Sequence, residues 1–333
     1  MRTMSSLTQS LVASFLMWGA TLFAGASSAV TNQQTTTPRS PIPKKSTWKF
    51  PPAPEGVIIL RDVSYLPAHR REKLDLYLPA HRPANTRSPA VVIIHGGGWS
   101  GGDKSSAREF NIGTVLAREG YVGASVEYLK EDHGRWPTNL YDCKNAVRFL
   151  RANAARYGIS DRIGVIGGSA GGHLALMVAY TYGVPELTPP DDVYPGCSDQ
   201  VYACVNFYGI TDLLTRQSTD PDGTPNGQLR DTALIKAPRA SGAKEWEKAS
   251  PVYYVNSSTP PTLSVHGLAD TTVDRLQAIT LDRALTQAGV PHELLLLEGI
   301  GHTFDLDSWK RNPLPRDVRS AVIRFFDRHL KTP

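Results

Sequence analysis

The sequence predicts an α/β fold built on a mostly parallel sheet with helices on both faces. Three observations predict it. From residue 56 onward, short β-rich runs alternate with helical runs, which demands crossover connections rather than hairpins. Eight such β-rich runs can be counted, and the third, Ala90–His95, reads Ala-Val-Val-Ile-Ile-His, a solid apolar strand. The 333 residues are 41% hydrophobic and 20% charged, so one large domain can fill its core.

The elements follow in order. Arg2, the apolar run Leu11–Phe23 and the small residues Ala24–Ala29 make the pattern of a secretory signal peptide over residues 1–29. The run is too short and too rich in small and polar residues for a membrane anchor, so a secreted or periplasmic chain with no stable membrane span is expected. Residues 30–55 are rich in Pro, Thr, Lys and Ser and read as an exposed linker. The domain then runs over 56–333. Val57–Ser64 and Lys73–Leu78 predict a hairpin-like strand pair at a sheet edge. Strands are predicted at Ala90–His95, Tyr121–Glu127, Arg162–Gly167, Tyr202–Tyr208, Pro261–His266 and Glu293–Glu298. Helices are predicted at Arg108–Glu119, Asn139–Tyr157, Ala170–Tyr182, Thr272–Ala288 and Pro315–Leu330. Residues 209–250 break the rhythm with Pro221-Asp222-Gly223 and Pro225-Asn226-Gly227, and are expected to form an insertion that partly caps the site.

Charge and cysteine narrow the classes. The net charge of +5 comes from scattered Lys and Arg, a solvated surface rather than a nucleic-acid footprint. No His/Cys cluster has metal-ligand spacing and no phosphate loop is present, so neither metal nor cofactor is expected. Cys143 lies at helical spacing with Leu140, Val147 and Leu150 and reads as core. Cys197 and Cys204 are close enough to bridge a loop to a strand; sequence alone does not decide whether they pair. The oligomeric state is not legible either.

In a parallel sheet, ligand sites form at the C-terminal ends of the strands. Three predicted strands end in residues that carry chemistry. Arg162–Gly167 runs into Gly167-Gly168-Ser169-Ala170-Gly171, a G-x-S-x-G turn between strand and helix. That tight turn lifts the Ser169 hydroxyl above the sheet at a helix N-terminus, where negative charge is favoured. A serine needs a base, and the base an orienting acid. Asp270 follows Pro261–His266, and His302 follows Glu293–Glu298, in the chain order Ser, Asp, His. The competitors are placed less well. Asp274 is expected inside a helix, and Asp305 and Asp307 come after His302. His266 reads as structural, His292 precedes its strand, and His173 sits on a helix where it packs or donates a local hydrogen bond. A third element, His95-Gly96-Gly97-Gly98-Trp99, follows the apolar strand. Two amides from it with that of Ala170 would form an oxyanion hole, which points to acyl transfer. Trp99 is expected either to wall the acyl pocket or to anchor the loop.

With these segments in hand, the chain over about residues 56–333 resembles the α/β-hydrolase superfamily. More narrowly, it looks like the carboxylesterase branch that includes hormone-sensitive-lipase-like esterases and bacterial bifunctional feruloyl and acetyl xylan esterases. The resemblance is carried by Lys73–Pro79, His95–Trp99 with Gly102-Asp103-Lys104, Asp142–Asn153, Gly167–Ala175, Ala249-Ser250-Pro251, Pro260–Leu263 leading to His266-Gly267 and Asp270, and Gly301-His302. It implies a triad of Ser169, Asp270 and His302 and an oxyanion hole made by the amides of Gly97, Gly98 and Ala170. It also implies small-molecule or polysaccharide ester substrates carrying acetyl or feruloyl groups. An amide-directed hydrolase on the same fold and a non-catalytic binding protein are the alternatives.

Overall fold

Alternate residues of the strand Ser88–Ile94 enter different cores: Ala90, Val92 and Ile94 join one apolar cluster, while Val91 and Ile93 join another. That period of two places a hydrophobic layer on each face of the sheet. The computed structural model describes residues 51–331 apart from 84–85, 131–135, 191–192, 217–230, 232 and 240–241. The expected signal peptide and most of the expected linker lie outside the described residues, as does much of the 209–250 insertion.

The main sheet has eight strands: β1 Val57–Val63, β2 Leu74–Pro79, β3 Ser88–Ile94, β4 Val122–Val126, β5 Ile159–Gly168, β6 Ala203–Phe207, β7 Thr262–Gly267 and β8 His292–Leu297. Their order across the sheet is β1-β2-β4-β3-β5-β6-β7-β8. The opening pair β1–β2 is antiparallel at the edge, as expected, and β2 also runs antiparallel to β4. Every later pairing in this sheet is parallel. The strands nearest the centre, β3 and β5, therefore release their C-terminal ends side by side.

The helices include α1 Ala107–Arg118, α2 Thr138–Ala152, α3 Ala154–Tyr157, α4 Ala170–Tyr180, α5 Ala243–Lys248, α6 Leu276–Gln287 and α7 Val318–Phe326. Leu140 and Val147 of α2, Leu174 and Met177 of α4, and Leu281 of α6 pack on one face. Ile112 and Val115 of α1 with Val322 and Phe325 of α7 pack on the other. A two-residue hairpin, β9 Ser308–Trp309 with β10 Asn312–Pro313, follows β8.

Among the helix boundaries that differ from expectation, three have a local reason. The helix expected over Asn139–Tyr157 divides at Asn153, whose side-chain amide donates to the Phe149 carbonyl at 2.9 Å and closes α2. The helix expected from Pro315 begins at Val318, where the Asp317 carboxylate accepts the Ser320 amide at 2.9 Å. The helix expected from Thr272 begins at Leu276, because the amides of Thr272 and Val273 are committed to Asp270. Asp274 thus lies in the turn ahead of α6, where its carboxylate accepts the Leu276 amide at 3.1 Å.

Cys197 and Cys204 do not pair; both are free thiols. Cys204 is fully buried in the core on β6, and the thiol of Cys197 belongs to a turn closed by its own amide on the Tyr194 carbonyl. Cys143 is buried in the same core as Leu140 and Val147, as its spacing predicts.

The junction of β5 with α4 is packed against the end of β3 without room for a methyl group. A Cβ on Gly171 would lie 2.1 Å from the Ile94 carbonyl oxygen and 2.5 Å from that of His95. Both neighbours are backbone and cannot step aside. Gly171→Ala should therefore lower stability by about 3 kcal/mol, read as a reduced urea midpoint; an unchanged midpoint would show that this junction has slack.

Candidate active site

Ser169 is the single residue between β5 and α4, and it adopts φ 58° and ψ −126°. A side-chain-bearing residue at positive φ costs on the order of 1–3 kcal/mol. Backbone hydrogen bonds hold it there: the Ser169 amide donates to the Phe207 carbonyl at 2.9 Å, and its own carbonyl accepts the His173 amide at 2.9 Å. The hydroxyl is thereby presented at the start of α4, where the first amides have no intrahelical acceptor.

Asp270 and His302 come to it from the next strand ends. His302 Nε2 lies 2.9 Å from Ser169 Oγ, and His302 Nδ1 lies 2.6 Å from Asp270 Oδ2. A carboxylate only accepts hydrogen bonds, so the short contact puts the proton on Nδ1 and leaves Nε2 free to accept from the serine. Asp270 divides its two oxygens. Oδ1 accepts the amides of Thr272 and Val273 at 2.9 and 3.0 Å, so Oδ2 remains for the imidazole. The two loops are stitched together as well: the Ala269 amide donates to the Ile300 carbonyl at 2.9 Å, and the Trp309 indole donates to the His302 carbonyl at 2.8 Å.

His266 contributes to this arrangement. It closes β7 fully buried, with Nε2 2.9 Å from the Val273 carbonyl and 3.7 Å from Asp270 Oδ2. Burial pushes its pKa down, which keeps the ring neutral beside the acid loop that it pins.

The run His95–Trp99 forms the near wall. Gly96 approaches so closely that a Cβ there would stand 2.8 Å from the Gly168 carbonyl oxygen and 3.2 Å from Ser169 Cβ. Gly97, Gly98 and Trp99 have φ of 119°, 60° and 60°, a left-handed sequence that turns the loop over the serine. Trp99 is buried, and its indole N–H donates to His173 Nδ1 at 3.1 Å. His173 Nε2 in turn donates to the Ala249 carbonyl at 2.6 Å. Trp99 is thus an anchor of the loop as well as part of the cavity wall. Burial depresses the His173 pKa to about 4, so the ring stays neutral and can accept from the indole.

A second clamp lies behind this loop. The His95 ring stacks on Tyr128 at 4.3 Å, and its Nε2 is 3.3 Å from Glu127 Oε1. Glu127 also receives the Lys104 amide at 3.2 Å and the Lys130 ammonium at 2.6 Å. Burial works against ionisation of Glu127, but the contacts with His95 and Lys130 outweigh it and hold the carboxyl down at about 2. Lys130 additionally donates to the Gly102 carbonyl at 2.7 Å, so one carboxylate organises both ends of the turn.

A cavity of about 520 Å³ opens above Ser169 and His302, with Gly97, Gly98 and Trp99 on one side and Phe304 and Ile210 on another. Arg108 lies beside Ser169 in its floor. It donates to the Tyr208 hydroxyl at 2.5 Å and to Glu109, and Tyr208 passes the chain on to the Phe304 carbonyl at 2.7 Å. Burial opposes the charge of Arg108, yet the Glu109 carboxylate beside it keeps its pKa raised. The Tyr208 ring meets His302 edge-on at 4.8 Å. Ile210 and Arg216, from the described start of the 209–250 insertion, also line the cavity. Arg216 donates to the Thr272 carbonyl at 3.0 Å, tying the insertion to the acid loop.

All three residues expected to react are brought together, and Gly97 and Gly98 line the same cavity. Sequence reasoning missed Arg108, Glu109, Glu127 and Tyr208. The first two open a helix as an ordinary charged pair would, and nothing local marks them as facing inward. Among the described residues, no group of three or more His, Cys, Asp or Glu side chains is arranged to hold a metal ion. No helix among them is long and apolar enough to cross a membrane.

Comparison with known proteins identifies the family and similar folds. The model of the BD-FAE family matches residues 74–285. Esterase LipQ of Mycobacterium tuberculosis is 28% identical over 266 residues, which is 79% of this chain and 61% of that protein. The chain therefore spans less than two thirds of that relative's length. Among solved structures, a truncated carbohydrate esterase from gut microbiota superposes with a TM-score of 0.69 at 26% identity, covering 83% of this chain and 97% of its own. A thermophilic esterase from the Planctomycetes species Thermogutta terrifontis gives 0.67 at 26% identity, covering 85% of this chain and 95% of its own.

The neutral, buried His173 carries a pH signature. Its folded pKa of about 4 lies below the ordinary 6.5, so between these values the unfolded chain binds a proton that the folded chain refuses. The stability tied to this residue is complete above pH 6.5 and falls as the pH drops toward 4, by about 3 kcal/mol in total. Urea unfolding of wild type and His173→Gln across that range should show the wild type losing that much more than the variant. Parallel pH slopes would contradict the assignment.

Proposed function

The chain belongs to the BD-FAE family, and from that premise we propose that it is a serine esterase acting on short-acyl esters, with acetyl or feruloyl groups on plant polysaccharide as the substrate class. The observation that carries the proposal is the continuous hydrogen-bonded line from Asp270 Oδ2 through His302 to Ser169 Oγ, ending inside the cavity.

In the proposed reaction, Ser169 Oγ attacks the ester carbonyl carbon while His302 Nε2 takes its proton. Asp270 keeps Nδ1 protonated and stabilises the imidazolium that forms. In this reading the negative charge developing on the carbonyl oxygen is received by the amides of Gly97, Gly98 and Ala170, a role supported by Gly97 and Gly98 lining the cavity. Collapse of the tetrahedral adduct breaks the bond to the alcohol, which leaves with the proton from His302. A water then enters, loses a proton to His302, and releases the acid from Ser169. The carbohydrate side of the proposal draws on the gut carbohydrate esterase. The insertion at 209–250 would act as a partial cap, with Ile210 and Arg216 as its contribution to the pocket. The signal-peptide pattern at residues 1–29 supports action outside the cytoplasm.

Ser169→Ala should reduce hydrolysis of p-nitrophenyl acetate by about 10⁴-fold or more, and Asp270→Asn should fall by about 10⁴ with little change in KM. Acetate release from acetylated xylo-oligosaccharides should be lost in parallel. Retention of either activity in Ser169→Ala would overturn the proposal.

A further inference from the structure

A second concavity, of about 490 Å³, is built from the end of α4, the turn Pro251–Tyr254 and the segment leading into β7. Its position follows from the topology. Ser169, Asp270 and His302 follow the C-terminal ends of β5, β7 and β8, whereas Tyr180 and Tyr182 lie at the far end of α4 and Pro260 precedes β7. The groove is therefore at the opposite edge of the sheet from the active-site cavity.

The two concavities differ in chemistry. The cavity above Ser169 includes Arg108, Glu109, Arg216, Asp305 and Lys310. Among the described residues that line the far groove there is no Asp, Glu, Lys, Arg or His, although 20% of the chain is charged. Instead it gathers four tyrosines with Gln200, Asn256 and hydroxyl side chains. Tyr182 and Tyr253 are each 50% exposed, among the most exposed large rings of the described residues. Their hydroxyls, and the Gln200 side-chain amide, make no hydrogen bond among the described residues. The other two rings are fixed: Tyr180 shares a 2.9 Å hydrogen bond with Thr262, and Tyr254 donates to the Lys248 carbonyl at 2.9 Å.

Exposed ring faces set among uncharged donors and acceptors fit one ligand chemistry. A pyranose presents a face of C–H bonds to the negative face of an aromatic ring, and neutral hydroxyls around its rim to amides and phenols. An anionic ligand would meet no lysine or arginine among the described lining residues, while the carboxylates of Glu186, Asp212 and Glu247 act on Tyr253 and Tyr254, and a lipid would leave the polar rim unpaired. We propose that this groove, with Tyr182 and Tyr253 as stacking platforms, is a second binding site for a neutral polysaccharide chain. The site rests on the esterase reading given above. It would hold the polymer while acyl groups on the same polymer reach Ser169, which raises their effective concentration without touching the chemistry.

The test uses the full chain and unesterified linear xylan, so that retention does not depend on ester cleavage. In affinity electrophoresis through this polymer, wild type should be retarded and Tyr182→Ala/Tyr253→Ala should migrate as in a gel without it. The double variant should keep its rate on p-nitrophenyl acetate while losing about fivefold on insoluble acetylated xylan. Equal retardation of both proteins, or none of wild type, would overturn the site. So would a concentration-dependent dimer of wild type that the double variant loses while xylan has no effect, since the groove would then be a self-interface. Failure of the esterase reading would show separately, as wild type releasing no acetate from soluble acetylated oligosaccharides.

Discussion

The structure depends on holding one serine in a backbone conformation that serine disfavours. Ser169 at φ 58° follows from how closely β5, β3 and α4 meet. Gly167, Gly168 and Gly171 are pressed against backbone or the Arg108 guanidinium, so the chain has no wider path to take. The energy of that turn is offset by the apolar cores on both faces of the sheet, which grip the strand and the helix on either side of it. Because the turn is fixed by packing, the position of the hydroxyl is set by the fold itself, and so is the direction from which His302 approaches it.

The supporting residues act by leaving each member of the proposed triad one available partner. Asp270 spends one oxygen on two backbone amides, so only the other faces His302. His302 is proton-bearing toward Asp270 and accepting toward Ser169. His173 gives its proton to Ala249 and accepts from Trp99, which fixes the glycine loop from one side. Glu127, His95 and Lys130 fix it from the other. Ala249 and Trp99 lie far apart in sequence, and one neutral imidazole joins them. A substitution of His173 therefore disturbs the loop over Ser169 without touching a reacting atom.

Much of this is legible in the sequence. Ser169, Asp270 and His302 could be read because each follows its own strand, and parallel strands bring their C-terminal ends to one edge. The strands were read from short apolar runs, and the eight fell where expected. The start of α6 was misplaced because Asp270 competes with the helix for the amides of Thr272 and Val273, a contest decided by tertiary position. Arg108, Glu127 and Tyr208 were invisible for a related reason. The contacts that bring them to the site span tens of residues or more, as in the 2.5 Å contact of Arg108 with Tyr208 and the approach of His95 to Glu127, and no local pattern records such a pairing. His266 was read as structural; its bond to the Val273 carbonyl shows that the structure it supports is the acid loop itself.

We propose Ser169 as a nucleophile activated by His302 and Asp270. Treatment of the full chain with a fluorophosphonate, followed by peptide mass mapping, tests it most directly. The account predicts a single stoichiometric adduct on the peptide that contains Ser169, formed quickly in wild type and far more slowly in His302→Ala. No adduct on wild type, or labelling that proceeds equally fast without His302, would contradict it.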